Sequence, residues 1–426
     1  MLWGILTGLG LLMYVCMKGA SIIIAGPVLA AFVAITGKVP VLKAYTDLYM
    51  TGAANYFKSF FPTFLLGAIF GKIMDDSGAA AAVAHWIVKK IGKDRAILAI
   101  VLATAVLTYG GISLFVVVFT MYPLALALFR EANLPRRLIP GCIAFGAFTF
   151  TMTATPGTPQ IQNIIPTKYF GTDAMAAPIV GTIGALVIFA IGMYYMNRRA
   201  AEARAKEEGF TEPSNHTKKE YDPSKLPSAG LSVLPLAIVI VLLNILKLDI
   251  ILALFAGIVA GVAVFWKRLP NVLQSLNLGA QGSLVAIMNT ACAVGFGAVV
   301  RGVPGFNSLV QVLQNISLGN GLIYTAIAVN VLAGATGSAS GGMSIALEAL
   351  SKQLLATGAN PQLLHKIASM SSGGLDSLPH NGAVLTLLAH CGMTHKDSYQ
   401  DIFVCTVLAP IAAVIVGIIL GSIGIV

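Results

Sequence analysis

The chain interrupts its apolar segments at matching points in two successive halves. In the first half the interruptions are Val-Pro at 39–40, Phe-Gly at 70–71, Ala-Asn-Leu-Pro at 132–135 and Thr-Pro-Gly-Thr-Pro at 155–159. Their counterparts follow in the same order: Leu-Pro at 269–270, Phe-Gly at 296–297, Ala-Asn-Pro at 359–361 and Leu-Pro-His-Asn-Gly at 378–382. Matching breaks in apolar helices are typical of membrane proteins built from two repeats, whose ligand site lies where the helices break.

Composition places the chain in a lipid bilayer. Hydrophobic residues make up 57% of the 426 residues and charged ones only 10%, which leaves too little polar surface to cover a soluble body. Several uninterrupted apolar runs approach or exceed the roughly 20 residues that a helix needs to span hydrocarbon. These runs are at 176–196, 231–246, 250–266 and 402–426. The sequence therefore predicts an all-α polytopic membrane protein.

The cysteines give no sign of a metal or a cofactor. They lie singly in apolar segments, with no paired or histidine-linked spacing of the kind that binds zinc. They are Cys16, Cys142, Cys292, Cys391 and Cys405. We expect them to be buried packing residues, and we expect no cofactor beyond a coupling ion.

The net charge of +10 is placed as in a membrane protein and does not indicate a nucleic-acid partner. Basic residues cluster at 89–95, 130–137 and 198–225, and the last cluster is interleaved with acidic residues. The positive-inside rule puts all three clusters on the cytoplasmic side. We therefore expect a multi-pass protein of the inner (plasma) membrane with a cytoplasmic linker at 201–228.

The segment between the first two basic clusters predicts a re-entrant hairpin. Residues 96–129 leave the cytoplasmic side and return to it, with Gly110 and Gly111 at the midpoint. Glycines there allow a sharp turn and a close approach to a ligand. Two full membrane passes joined by a glycine loop are the alternative.

The second half has the same pattern without the basic residues. Residues 314–321 contain no Lys or Arg, so equivalent loops are expected on opposite sides of the membrane. We therefore predict two inverted-topology repeats with re-entrant hairpins and broken transmembrane helices. The predicted ranges are a first repeat at 1–200 (scaffold helices 1–75, hairpin and broken helix 96–170), and a second at 229–426 (scaffold 229–300, hairpin and broken helix 322–395).

The two hairpin tips and the two broken helices carry the candidate substrate-binding residues. Hydroxyl groups surround two prolines in the first break, and exposed backbone N–H groups of glycines at positive helix ends suit a carboxylate. Small residues that only allow close helix packing are the alternative. The candidates are Gly110, Gly111, Ser113, Thr153, Thr155, Gly157, Thr158, Gln160, Gly337, Ser338, Ser340, Gly341, His380 and Asn381.

Asp376 and His380 are the candidate ion-coupling residues. Ionisable groups in an otherwise apolar stretch are costly unless they are paired or hydrated, so a functional role is the first interpretation. Asp376 could take up a proton or ligate sodium, and His380 could titrate or donate to a substrate oxygen. A purely structural Asp-His pair that holds the helix break remains open.

These motifs resemble those of the gluconate permease (GntP) family of the ion transporter superfamily. The resemblance covers nearly the whole chain and is carried by Phe-Gly-Lys at 70–72, Gly-Ile-Ser-Leu-Phe at 111–115, Pro-Gly-Thr-Pro at 156–159, Ala-Thr-Gly-Ser-Ala at 335–339 and the break at 376–382. It implies proton-coupled uptake of sugar acids or hydroxy acids by a homodimer of inverted repeats that works as an elevator.

The sequence departs from the gluconate type at two points. Phe115 is followed by three valines where an acidic residue is expected, and the first break has Thr155 where a histidine is expected. A smaller monocarboxylate such as 3-hydroxybutyrate or lactate therefore joins gluconate as a candidate substrate, and sodium coupling joins proton coupling.

Three classes of function are compatible with the residues. The leading class is an ion-coupled symporter of a small organic anion, with the lipid bilayer and that anion as its partners. A membrane-embedded enzyme using Asp376 and His380 is the second, but the chain has no recognisable catalytic signature, so we predict that it is not an enzyme. A channel is the third, and paired helix breaks disfavour it.

Overall fold

The protein folds into a bundle of α-helices. The computed structural model describes residues 2–18, 20–112, 114–212, 223–269, 271–316, 319–379 and 381–426, and this part of the chain contains no β-strand. The prediction of an all-α membrane protein is confirmed at this level.

The helices of the first half run from α1 to α9. They are α1 (Leu2–Met17), α2 (Ile22–Thr36), α3 (Val41–Asp76), α4 (Ala79–Ile91), α5 (Ala96–Tyr109), α6 (Leu114–Glu131), α7 (Ile139–Ala147), α8 (Ile161–Phe170) and α9 (Pro178–Ala205). A single helical turn, Phe150–Thr153, lies between α7 and α8.

The helices of the second half repeat this order. They are α10 (Ala229–Asn244), α11 (Ile250–Phe265), α12 (Val272–Gly302), α13 (Phe306–Ile316), α14 (Gly321–Thr336), α15 (Ala339–Ala356), α16 (Pro361–Ser372), α17 (Gly382–Cys391) and α18 (His395–Ser422). Each half thus contains nine such helices in the described residues, and we call two helices that are nine places apart counterparts.

Helices long and apolar enough to cross a bilayer occur as counterpart pairs. In the described part they are α3 and α12, and α9 and α18. α3 packs against α12, and α9 against α18. One further pair of contacts exchanges partners between the halves: α2 packs on α12, and its counterpart α11 packs on α3.

Two helical hairpins each have a first helix that is shorter than the thickness of the hydrocarbon core. α5 has 14 residues and α14 has 16, which gives lengths of about 21 and 24 Å at 1.5 Å per residue against a core of about 30 Å. α5 packs against α6, and α14 against α15. We call residues 110–112 the first tip and residues 337–341 the second tip.

Two further helices are interrupted beside these tips. The first break, residues 154–160, separates α7 and its following turn from α8, and the second break, residues 373–381, separates α16 from α17. α8 packs on α16, and the counterpart contact joins α17 to α7. Each break is therefore packed between helices of both halves.

Candidate functional site

A cavity of about 420 Å³ lies between the two tips, the two breaks and the helices α2, α3, α11 and α12. Residues predicted from the sequence line it from all four segments. They are Gly111, Gln160, Gly337, Ser338, Ser340, Asp376 and Asn381. The volume is within the usual range for a small-molecule site, about 300 to 1,000 Å³.

Five helices begin at the wall of this cavity. The first residues of α2, α6, α8, α15 and α17 all line it. These residues are Ile22, Leu114, Ile161, Ala339 and Gly382. Because a helix N-terminus carries a partial positive charge and unpaired N–H groups, their convergence makes a polar environment suited to an anion.

The first break is tied to the first tip by a side-chain amide. Gln160 Nε2 donates to the backbone oxygens of Thr108, at 2.6 Å, and Ile112, at 3.1 Å. The Tyr109 hydroxyl donates to the backbone oxygen of Pro156, at 3.0 Å. Thr108 lies in the last turn of α5, where carbonyl groups lack intrahelical partners, so Gln160 helps to satisfy one of them.

Gly111 permits the close approach of this tip to the break. Its φ is +93°, and a Cβ atom there would lie 3.3 Å from Pro159 Cγ. Both the left-handed backbone and the limited space therefore favour glycine.

The second break is tied to the second tip in the same way. Asn381 Nδ2 donates to the backbone oxygen of Gly337, at 3.0 Å, while Asn381 Oδ1 accepts from Val384 N, at 2.9 Å, and so caps α17. Gly337 has a φ of +59° and ends α14. Gln160 and Asn381 thus perform the same task in the two halves.

Hydroxyl groups of the second tip line the cavity beside the start of α15. Ser338 Oγ accepts from Gly341 N at 3.1 Å and caps the helix. Ser340 Oγ lies 3.4 Å from Thr290 Oγ1 of α12, and Asn289 of the same helix also lines the cavity. The cavity wall on this side offers both hydroxyl and amide groups.

Among the described residues that line the cavity, Asp376 is the only ionisable one. Its side chain is nearly buried, and Oδ1 accepts from Ser377 Oγ at 3.1 Å. In the described part of the chain, no Lys, Arg or His forms an ion pair with it. A carboxyl group in this position can bind a cation or a proton. The predicted residues Ser113 and His380 lie outside the described residues.

The remaining predicted residues support the breaks and tips without lining the cavity. Thr153 and Thr155 donate their hydroxyls to the backbone oxygens of Thr149 (3.0 Å) and Phe150 (2.9 Å). The buried Thr158 accepts from Gln160 N at 3.4 Å. Gly110, Gly157 and Gly341 allow close approach or backbone turns, and a Cβ atom at Gly157 would lie 2.8 Å from the amide of Asn244.

The sequence interpretation missed a buried polar cluster behind the first break. His365 and Lys366 of α16 are both fully buried and contact Asn163 of α8. The only indication in the sequence was the pair of adjacent polar residues. The sequence does not show that they are buried, or that Asn163 contacts them. In the described residues, no group of three or more His, Cys, Asp or Glu side chains is placed to hold a metal ion.

Comparisons with known proteins give the family. Residues 2–250 match the model of the GntP family permeases. The chain is 43% identical to the uncharacterized transporter YxjC of Bacillus subtilis, over 95% of both chains. It is 26% identical to an uncharacterized transporter of Haemophilus influenzae, over 78% of this chain and 77% of the relative.

These matches agree with the apolar helices and with the resemblance drawn from the motifs. The family and the relatives are permeases and transporters, not enzymes. The helices and the family together describe a multi-pass membrane protein that moves a small molecule. The chain belongs to the GntP family of permeases.

Proposed function

We propose that this permease is a cation-coupled symporter of a small organic anion, either a hydroxy monocarboxylate such as 3-hydroxybutyrate or lactate, or a sugar acid such as gluconate. The observation that carries the proposal is the convergence of five helix N-termini on one cavity that, in its described lining, contains no Lys or Arg. Backbone N–H groups can bind a carboxylate without leaving a buried cation when the site is empty.

The polar side chains of the cavity suit a hydroxylated acid. Gln162, Asn289 and Thr290 line it together with the tip serines, and Thr63 of α3 lies opposite. Amides and hydroxyls both donate and accept hydrogen bonds, so they can pair with substrate hydroxyl groups. Phe64 and Phe148 add apolar surface for a short carbon chain.

Asp376 is the proposed ion-coupling residue. It lines the same cavity as the helix N-termini and has no fixed cation beside it in the described residues. A proton is the favoured coupling ion, because a neutral Asp376 would remove like-charge repulsion with the incoming carboxylate. Sodium bound by the carboxylate and carbonyl oxygens is the alternative.

The proposed architecture is a pair of inverted repeats, 1–200 and 229–426, joined by a cytoplasmic linker at 201–228. It is supported by the recurrence of helix order and by the exchange of contacts between counterpart helices. The short first helices of the two hairpins, which end at Gly110 and Gly337, support re-entrant tips. Inner-membrane location rests on the basic loops, and the homodimer and elevator movement rest on the family resemblance.

A binding panel tests whether the cavity takes an anion. Thermal stabilisation of the purified protein is measured with 3-hydroxybutyrate, lactate and gluconate, and with the uncharged amide of each acid. We expect at least one acid to stabilise the protein and its amide to have no effect. Ser338→Trp, which fills the cavity, should abolish the stabilisation, whereas Thr182→Trp on the exposed face of α9 should keep it. Equal stabilisation by acid and amide would contradict the proposal.

A further inference from the structure

The side-chain amino group of Lys366 lies outside the cavity lining, buried behind the first break. Lys366 has no solvent exposure, and its Nζ donates to Asn163 Oδ1 at 3.1 Å. α9 approaches it at Gly181, where a Cβ atom would lie 3.1 Å from Lys366 Cε. An ammonium removed from water needs a counter-charge or has to release its proton.

The groups around Lys366 supply no such counter-charge by contact in the described residues. His365, on the same helix, places Nε2 3.2 Å from Asn163 Oδ1 and Nδ1 2.6 Å from Thr172 Oγ1. Asp173 acts on Lys366 electrostatically without an ion pair, and its Oδ2 accepts from Lys247 Nζ at 2.8 Å. Lys366 therefore faces an amide oxygen, a histidine and a carboxylate that already has a partner.

A chain of hydrogen bonds joins Lys366 to the cavity. Asn163 Nδ2 donates to the backbone oxygen of Thr158, at 3.1 Å, in the first break. Thr158 accepts from Gln160 N, and Gln160 reaches the first tip at Ile112 O. Asn163 is also next to Gln162, whose side chain lines the cavity. These hydrogen bonds form a continuous physical connection between Lys366 and the segment that lines the cavity.

We propose that Lys366 takes up a proton when the cavity binds an organic anion. The bound anion supplies the negative charge that the buried ammonium lacks, and Asn163 holds the break in the binding position. The inference rests on the proposed function. Because linkage is reciprocal, proton uptake at Lys366 must also tighten anion binding. Lys366 acts as a positioning residue through Asn163, distinct from Asp376, which lines the cavity on the other break.

Calorimetric titration with 3-hydroxybutyrate and with gluconate tests this inference. The dissociation constant is measured between about pH 5.5 and 9, and buffers of different ionisation enthalpy give the number of protons taken up. A single linked proton weakens binding by up to about tenfold per pH unit as pH rises. The same titrations are repeated with the Asp376→Asn protein. This substitution removes the carboxyl group, so any proton uptake that remains does not come from Asp376.

In that background, the protein with Lys366 intact should take up a proton on binding and lose affinity as pH rises. Lys366→Met should bind weakly, with no proton uptake and no pH dependence. Lys366→Arg should bind with no pH dependence, since arginine keeps its charge. Lys352→Met, which removes an exposed lysine of α15, should behave like the parent.

A Lys366→Met or Lys366→Arg protein that keeps the parent proton uptake would overturn the inference. If neither Lys366 variant folds, the number of protons that the Asp376→Asn protein takes up on binding tests the proposal. Binding without proton uptake contradicts it. A wild-type protein that binds neither acid, nor any acid of the panel, would instead reject the proposed function, and the inference with it.

Discussion

At the scale of single residues, the cavity has separate groups for binding an anion and for binding a cation or a proton. Backbone N–H groups at helix starts can bind the anion, and Asp376 is the one ionisable side chain in the described lining. A carboxyl group beside an anion site is unfavourable while both are charged, since like charges repel in a low dielectric. A cation or a proton on Asp376 resolves this conflict, which is why coupling is assigned to this residue.

Asp376→Asn should separate coupling from exchange. The amide mimics a protonated acid, so counterflow exchange of labelled substrate should be partly retained while gradient-driven accumulation is lost. A purely structural role predicts loss of folded protein, because removing one partner of a buried pair can cost about 3 to 5 kcal/mol. Exchange and accumulation in proteoliposomes, with size-exclusion profiles, distinguish the two. Folded variant protein that still concentrates substrate with normal ion dependence would place coupling at another residue.

At the scale of helices and turns, the sequence predicted where helices stop but not what covers each residue. Prolines and glycines at 155–159 and 378–382 change the backbone locally, so the breaks could be read directly. The bonds from Gln160 to Ile112 and from Asn381 to Gly337 join distant segments and depend on tertiary packing. For the same reason Lys366 was overlooked, since its burial is created by α8 and α9.

The first tip is expected to be sensitive to a single methyl group. Gly111→Ala places a side chain on a left-handed backbone at a cost of about 1 to 2 kcal/mol, and its Cβ would press on Pro159. Gly230→Ala in α10, where a Cβ atom meets nothing within 4 Å, is the control. Thermal unfolding in detergent should show a lower midpoint for Gly111→Ala than for the control. Equal midpoints would show that the tip is not constrained in this way.

The start of the linker is held by an ion pair whose contribution depends on pH. Arg137 donates two bonds of 2.6 Å to the carboxylate of Glu208, and these hold the pKa of Glu208 below its usual value. A lowered carboxyl pKa contributes stability above the unfolded pKa of about 4.3. That stability is lost as pH falls through the lower folded value.

Glu208→Gln should therefore lower the unfolding midpoint at pH 7, and it should lower the midpoint by a smaller amount at about pH 3.5, below the unfolded pKa, where part of the stabilisation is already lost. Glu207→Gln, which changes a neighbouring carboxyl group that forms no ion pair with Arg137 in the described residues, is the matched control. The measurement is thermal unfolding of both variants at the two pH values. If Glu208→Gln lowers the unfolding midpoint by the same amount at both pH values, the charged pair does not contribute to stability.

At the scale of the whole molecule, the proposed architecture consists of two halves with opposite orientations in the membrane. Lys90, in the last turn of α4, and Asn315, near the end of α13, occupy counterpart regions and are both exposed. A membrane-impermeant maleimide added to intact cells should label Asn315→Cys and leave Lys90→Cys unlabelled until the cells are opened. The protein without either substitution is the control for labelling of the native cysteines. Labelling of both variants from the same side would reject the inverted arrangement.

The measurement that tests the central claim most directly is uptake of labelled organic acid into proteoliposomes under an imposed ion gradient. We predict that at least one of 3-hydroxybutyrate, lactate and gluconate accumulates above its external concentration, unchanged chemically, when protons are driven inward. Accumulation driven only by sodium would select the sodium alternative. Substrate that merely equilibrates across the membrane under every gradient would contradict ion-coupled symport through this cavity.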